Sequence, residues 1–247
     1  LTGHSLCSDL VRNLKYNFKT FHLFEMSLTD ACIMGDIGLV KSLLEKGEDP
    51  STNDNKAIIL ASRNGHTKVV ELLLQDGRAD PSADENIAIG SASARGYIDI
   101  VKMLLQDKRV NPADYYNSAI REASERGHAD VVEVLLQDER VDPTISNNYA
   151  IRLASGNGHT KVVEVLLHDE RVDPTARSNG AIKRASKNGH VDVVRVLLQD
   201  GRVDPTADDE WAINHAKTDE IKDILIAYKY RVDGKEYQRL KGQMVIN

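Results

Sequence analysis

The chain has 247 residues, 41% of them hydrophobic but only 5% aromatic, with a net charge of −6. That balance argues against bulk binding to nucleic acid or to an anionic membrane surface, and so few aromatic rings suit a thin stack better than one large core. Cys7 and Cys32 are the only thiols, no apolar run approaches the ~20 residues of a membrane span, and no charged-then-apolar leader opens the chain; an intracellular, cytoplasmic protein is the expectation.

Residues 1–27 hold all three phenylalanines, and Leu10, Leu14, Phe18 and Phe21 recur at helical spacing. They read as a capping helix laid over the next segment, or as the remnant of an upstream domain. The leucine at position 1 is compatible with missing upstream sequence. Residues 28–54 carry two short apolar patterns, one through Ala31 and Cys32, the other through Leu39, Val40, Leu43 and Leu44.

From Asn55 onward the chain repeats one motif. Its clearest form is NGAIKRASKNGHVDVVRVLLQDGRVDPTADD, starting at Asn179, with close copies at Asn148 and Asn117 and diverged ones at Asn86 and Asn55. Gly65, Gly96, Gly127, Gly158 and Gly189 are 31 residues apart, and so are all the prolines from Pro50 to Pro205. A fixed period of this size marks a stack of supersecondary units. The units are 28–54, 55–85, 86–116, 117–147, 148–178 and 179–209, followed by a capping unit at 210–230 that drops the Gly-His turn. Residues 231–247 carry no pattern and read as a tail.

Each unit reads as helix–turn–helix. In the copy at Asn179, Ala181, Ile182, Ala185, Ser186 and Gly189 fall on one face at roughly 100° per residue. Asn179 is placed to N-cap this helix and Gly189 to end it in a left-handed conformation. Val193, Val194, Leu197 and Leu198 give the second helix its apolar face, and Asp204-Pro205 stops the chain. Helices of ~8–10 residues are marginal alone, so they persist only by burying these faces against a neighbouring copy.

The pattern A-x-x-A-S-x-x-G-H-x-x-V-V-x-x-L-L resembles the ankyrin repeat, over roughly residues 28–230. The fold class expected is all-α, an ankyrin-repeat solenoid of about seven helix-turn-helix units with terminal caps. Two departures account for a period of 31 in place of 33. The Thr-Pro-Leu-His opening is replaced by Lys56-Ala57-Ile58-Ile59 and its equivalents, with a turn about three residues shorter. One residue is inserted after the second helix (Arg78, Arg109, Arg140, Arg171, Arg202). This trimmed form resembles arrays of amoebae and of the giant viruses that infect them, and implies stubby fingers.

Chemistry is absent from the pattern. Histidines of successive repeats, His66, His128, His159 and His190, stand too far apart at ~8–10 Å helix spacing to share a zinc with ligands at ~2 Å. The recurring Asp76/Arg78, Asp138/Arg140 and Asp169/Arg171 pairs are repeated, whereas one active site needs one constellation. No phosphate loop, nucleophile elbow, zinc-cysteine pair or zincin helix occurs. No enzyme, metal site, cofactor or small-molecule substrate is expected.

What differs between copies points to recognition. On the first helix the variable positions form a stripe opposite the packed face, the side that lines the concave groove in ankyrin-like stacks. Tyr149 and Trp211 occupy one such position, Arg121, Arg152 and Lys183 another, Leu153 and Arg184 a third; Tyr115, Tyr116 and Arg177 sit in the preceding turns. The ankyrin resemblance implies a partly buried histidine at the second of these positions, so the alternative for Arg121 and Arg152 is to brace neighbouring turns. Rings and guanidinium groups dominate interface energetics, and the arginines make a local basic ridge on an acidic chain. The expected function is a non-catalytic protein–protein interaction module that binds another protein, or an acidic peptide, along this groove. The alternatives are a structural subunit of a large assembly and a substrate adaptor of a ubiquitin ligase.

Overall fold

The computed structural model describes residues 26–232. The expectations for residues 1–25 and 233–247 therefore lie outside the described residues. Among the described residues every element is a helix, and the chain divides into two compact units, one ending at Asp80 and one beginning at Pro81. The first holds α1 (Leu28–Met34), α2 (Ile37–Glu45), α3 (Thr52–Asn64) and α4 (Thr67–Asp76). The second runs through α5 (Ala83–Ala94), α6 (Ile98–Gln106), α7 (Asp114–Arg126), α8 (Ala129–Leu136) and α9 (Ile145–Asn157). It continues with α10 (Thr160–His168), α11 (Ala176–Asn188), α12 (Val191–Asp200), α13 (Ala207–Asn214) and α14 (Asp219–Val232).

Packing follows the predicted faces. Within the second unit, first helices α5, α7, α9, α11 and α13 lie side by side, and second helices α6, α8, α10, α12 and α14 form the other layer. Ala181, Ile182, Ala185 and Ser186 are fully buried between neighbours, as are Val193, Val194 and Leu197. Burying each such aliphatic side chain contributes about 1.5–3 kcal/mol, which these short helices lack in isolation.

The turns before the first helices differ from expectation. From α3 onward each first helix opens with three consecutive left-handed residues, such as Ser146, Asn147 and Asn148 at φ of 55°, 58° and 55°. Right-handed geometry begins only after the third. Asn179 therefore stands at the predicted helix boundary but caps nothing in its own helix: its φ is 61°, and its Oδ1 accepts from the Asp204 N–H at 2.8 Å. Asn55, Asn86, Asn117 and Asn148 do the same for Asp80, Asn111, Asp142 and Asp173 at 2.7–2.9 Å. Asparagine tolerates the left-handed region better than most residues, and its amide oxygen ties each turn to the start of the next. The bonded N–H belongs to the residue before proline, which proline holds extended.

The histidine column is structural. Each Nε2 bonds a main-chain carbonyl of the preceding copy: His66 to Ile33 at 2.8 Å, His159 to Glu125 at 2.8 Å, His190 to Gly156 at 2.9 Å. A carbonyl only accepts, so Nε2 is the protonated nitrogen. Each of these rings also lies on the left-handed glycine one copy back. Gly127 and Gly158 have φ of 84° and 80°, as the sequence predicts.

The Asp/Arg column is structural too. Arg140 takes Asp138 with Nε and Nη2, and reaches back to the Val110 and Leu105 carbonyls at 2.7 and 3.5 Å. Arg171 and Arg202 repeat this with Asp169 and Asp200 and with the carbonyls of the copy before. Each guanidinium thereby sits at the C-terminal end of the preceding second helix, where a cation is favoured. The hydrogen bond from its arginine holds the carboxyl of Asp76, Asp107, Asp138, Asp169 and Asp200 below the ordinary carboxylate range. A folded-state pKa below the unfolded one contributes stability that is present above the unfolded value and is lost as pH falls through the folded one. Denaturation midpoints should therefore drop as pH falls below about 4. Asp138→Asn/Asp169→Asn/Asp200→Asn should flatten that drop, and an unchanged acid limb would remove the column as a source of stability.

The last unit closes the array with substitutes. Lys217 replaces the histidine: its Nζ donates to the Asn188 carbonyl at 3.2 Å, and its chain lies on Gly189. Ser186 Oγ donates to the Ala212 carbonyl at 2.6 Å. Ile221 and Leu225 of α14 are buried, whereas Asp219, Glu220, Lys222 and Asp223 face outward.

Candidate interaction surface

With the histidine, Asp/Arg and asparagine columns used inside the array, the side chains left over are those that change from copy to copy. Tyr115 and Tyr116 stand at the tip of a left-handed turn, 60% and 69% exposed, with their rings edge to face at 6.3 Å. Two copies on, Arg177 stands exposed at the equivalent tip. Arg184 and Lys187 are exposed along α11, and Leu153 is half-buried on α9. Trp211 is half-buried and stacks on His215 at 4.2 Å and 13°.

Two members of the predicted stripe face elsewhere. Arg152, expected at the surface, is only 7% exposed. Its Nε and Nη2 donate to the Asn147 and Ser146 carbonyls at 3.0 and 2.9 Å, bracing the left-handed turn that opens its own helix. Lys183 leaves 13% of its side chain exposed and is ion-paired with Asp208 of the next turn. The reason is shared. With so short a turn, the next copy comes close enough to cover this position, and at Gly180 it presents no side chain to hold Arg152 off. Asn214, at the same position in the last copy, likewise donates to its own turn, at the Asp209 carbonyl, 3.0 Å.

Arg121 keeps the same helix position but not the same role. It is half-buried, and its Nε is buried without a hydrogen-bond partner. Arg121 and Arg152 both approach the Tyr149 ring, with guanidinium carbons 5.9 and 5.0 Å from the ring centroid, within cation–π range. Burial, then the charges of Arg184 and Arg177, lower the pKa of Arg152 from the ordinary guanidinium value. Of the basic residues in the predicted stripe, Arg177 and Arg184 are exposed, Arg121 is half-buried, Arg152 is buried and Lys183 is neutralised by Asp208.

Among the described residues no group of three or more His, Cys, Asp or Glu could hold a metal. Cys32 is buried, and burial pushes its thiol up to about 12, so it is core material. No described helix is long and apolar enough to cross a membrane.

Units of two packed helices, repeated in register and tied by the same bonds, match a known family. The model for ankyrin repeats (3 copies) fits residues 28–117 and 120–209. The chain belongs to the ankyrin-repeat family. Human ankyrin repeat domain-containing protein 39 is 46% identical to it over 57 residues, 22% of this chain; the match spans only 31% of that curated relative. Among solved structures, the ankyrin repeat domain of Bcl-3, a member of the IkappaB protein family, superposes with a TM-score of 0.63 at 20% identity, covering 81% of this chain and 98% of that one. The human ASB11 ankyrin repeat domain gives 0.57 at 18%, covering 76% and 96%. An ankyrin repeat domain from Acinetobacter baumannii AYE gives 0.56 at 23%, covering 70% and 97%. At such identities the likeness is one of fold. Ankyrin repeats are in general protein–protein interaction modules.

Proposed function

We propose that this ankyrin array is a non-catalytic interaction module that holds a protein partner on the first-helix side of its later repeats, through Tyr115, Tyr116, Tyr149, Leu153, Arg177, Arg184 and Trp211. The observation that carries this reading is the division of labour among side chains. Repeated polar residues are consumed in bonds between copies, while rings and guanidinium groups gather at positions that differ. Large rings and arginines are the usual anchors of interfaces, and α9 and α11, which carry Arg152, Arg177 and Arg184 and no carboxylate, suit an acidic partner surface.

The test begins with affinity purification of the intact protein to identify the partner. Tyr116→Ala, Arg177→Ala, Arg184→Ala and Trp211→Ala are then compared with Glu133→Ala, Glu164→Ala and Arg195→Ala on the second helices. Exposed positions usually change stability by under ~0.5 kcal/mol, whereas an anchor contributes ~2 kcal/mol or more to binding. The combined Tyr116/Arg177/Arg184 variant, at exposed positions, should melt close to the parent and bind at least about thirtyfold more weakly, while Trp211→Ala, at a half-buried ring, is read singly for binding. Loss of binding in the control set alone would move the partner to the opposite side of the array.

A further inference from the structure

The arginines at the boundaries between copies each hold an aspartate, as Arg140 holds Asp138 and Arg171 holds Asp169. Arg121, Arg152, Arg177 and Arg184 hold no carboxylate among the described residues, although they come from three successive copies and converge. A side-chain atom built on Gly180 would lie 2.9 Å from Arg152 Cδ and 3.3 Å from Arg177 Cβ. One built on Gly156 would lie 3.5 and 3.6 Å from Arg184 Cβ and Cδ. Arg152 is therefore flanked by Arg177 and Arg184 of α11, with Gly180 leaving the room in which it lies. Arg152 shares the Tyr149 ring with Arg121, whose buried Nε has no acceptor. Like charges gathered without a counter-ion repel one another, and this cluster sits on the side proposed as the recognition surface.

We propose that Arg177 and Arg184, exposed on α11 and backed by the charge of Arg121 and the buried Arg152, form a subsite for the phosphate of a phosphorylated serine or threonine in the protein partner. The inference rests on the recognition reading of this surface and adds its chemistry. A phosphate monoester brings close to two negative charges and three acceptor oxygens at neutral pH, against one charge on a carboxylate. Planar guanidinium forks match its oxygens, and arginine clusters are a recurring means of reading phosphorylated segments.

The probes are three degenerate peptide libraries with a fixed central phosphoserine, serine or glutamate, applied to the immobilised intact protein. The phosphoserine library should bind at least about tenfold more tightly than the serine library, with glutamate between them. Arg177→Met/Arg184→Met, both exposed, should melt like the parent and lose that preference. Should the double variant fail to fold, Arg184→Lys keeps the charge, loses the fork and should still lower the preference. Equal binding of the phosphoserine and serine libraries, or a preference that survives these variants, overturns the phosphate subsite. If Tyr116→Ala and Trp211→Ala still weaken the intact partner in that case, the recognition surface stands without it; if they do not, both readings fail.

Discussion

Gly158→Ala should destabilise the protein by about 2–5 kcal/mol, and Gly201→Ala by only about 1–2 kcal/mol, although the two glycines have nearly the same backbone. Gly158 has φ of 80° and Gly201 of 81°, so both substitutions incur the same left-handed penalty. They differ in what the new methyl meets. At Gly158 it would lie 2.6 Å from His190 Nδ1 and 2.8 Å from its Cε1, whereas at Gly201 nothing lies within 4 Å. The imidazole cannot step aside without breaking its bond to the Gly156 carbonyl. His190→Ala removes the obstacle, so adding Gly158→Ala to it should do less harm than Gly158→Ala does alone. Urea midpoints of the four proteins decide the matter. Equal losses for Gly158→Ala and Gly201→Ala would mean that only φ counts and that the ring contact is not tight.

Asn148→Ala should cost about 2–4 kcal/mol, and Asn147→Ala, one residue earlier in the same turn, about 1 kcal/mol. Both residues are left-handed, at φ of 55° and 58°, so alanine is disfavoured at each. Asn147 is exposed. Asn148 is 7% exposed, and its Oδ1 is the acceptor for the Asp173 N–H at 2.8 Å. Alanine leaves that donor without its acceptor, which costs the desolvation of the group as well as the bond. Thermal melts of the two variants provide the comparison. Similar midpoints would show that the amide oxygen is dispensable and that the column reflects only the tolerance of asparagine for this backbone.

These two results probe one feature that is legible in the sequence and one that is not. The glycine–histidine pair recurs every 31 residues in the closest copies, and repetition alone argues that the imidazole is a turn residue and no metal ligand. Repetition excludes the Asp/Arg pairs as a catalytic line on the same ground, and their bonds to carbonyls of the preceding copy give the physical reason. For Asn148 the sequence marks the right boundary and the wrong bond. N-capping is a rule of local geometry, and the acceptor here serves a donor 25 residues further on. A signal was available: the asparagine recurs in copies whose neighbouring turn residues change freely, more regularly than a replaceable cap requires.

The sequence by itself determined the period, the two apolar faces in each copy and the glycines that must be left-handed. All of these come from patterns within about one repeat, where 3.6-residue periodicity and residue size are sufficient. Only the tertiary structure decided which variable side chains reach solvent. Helical angle places Arg121, Arg152 and Lys183 on one outward stripe, but an angle on an isolated helix carries no information about how near the next copy stands. The left-handed turn brings that copy close, Gly180 leaves room for Arg152 to lie buried against it, and Asp208 arrives to neutralise Lys183. Arg177 and Arg184 stay exposed because they stand where the following copy does not cover them.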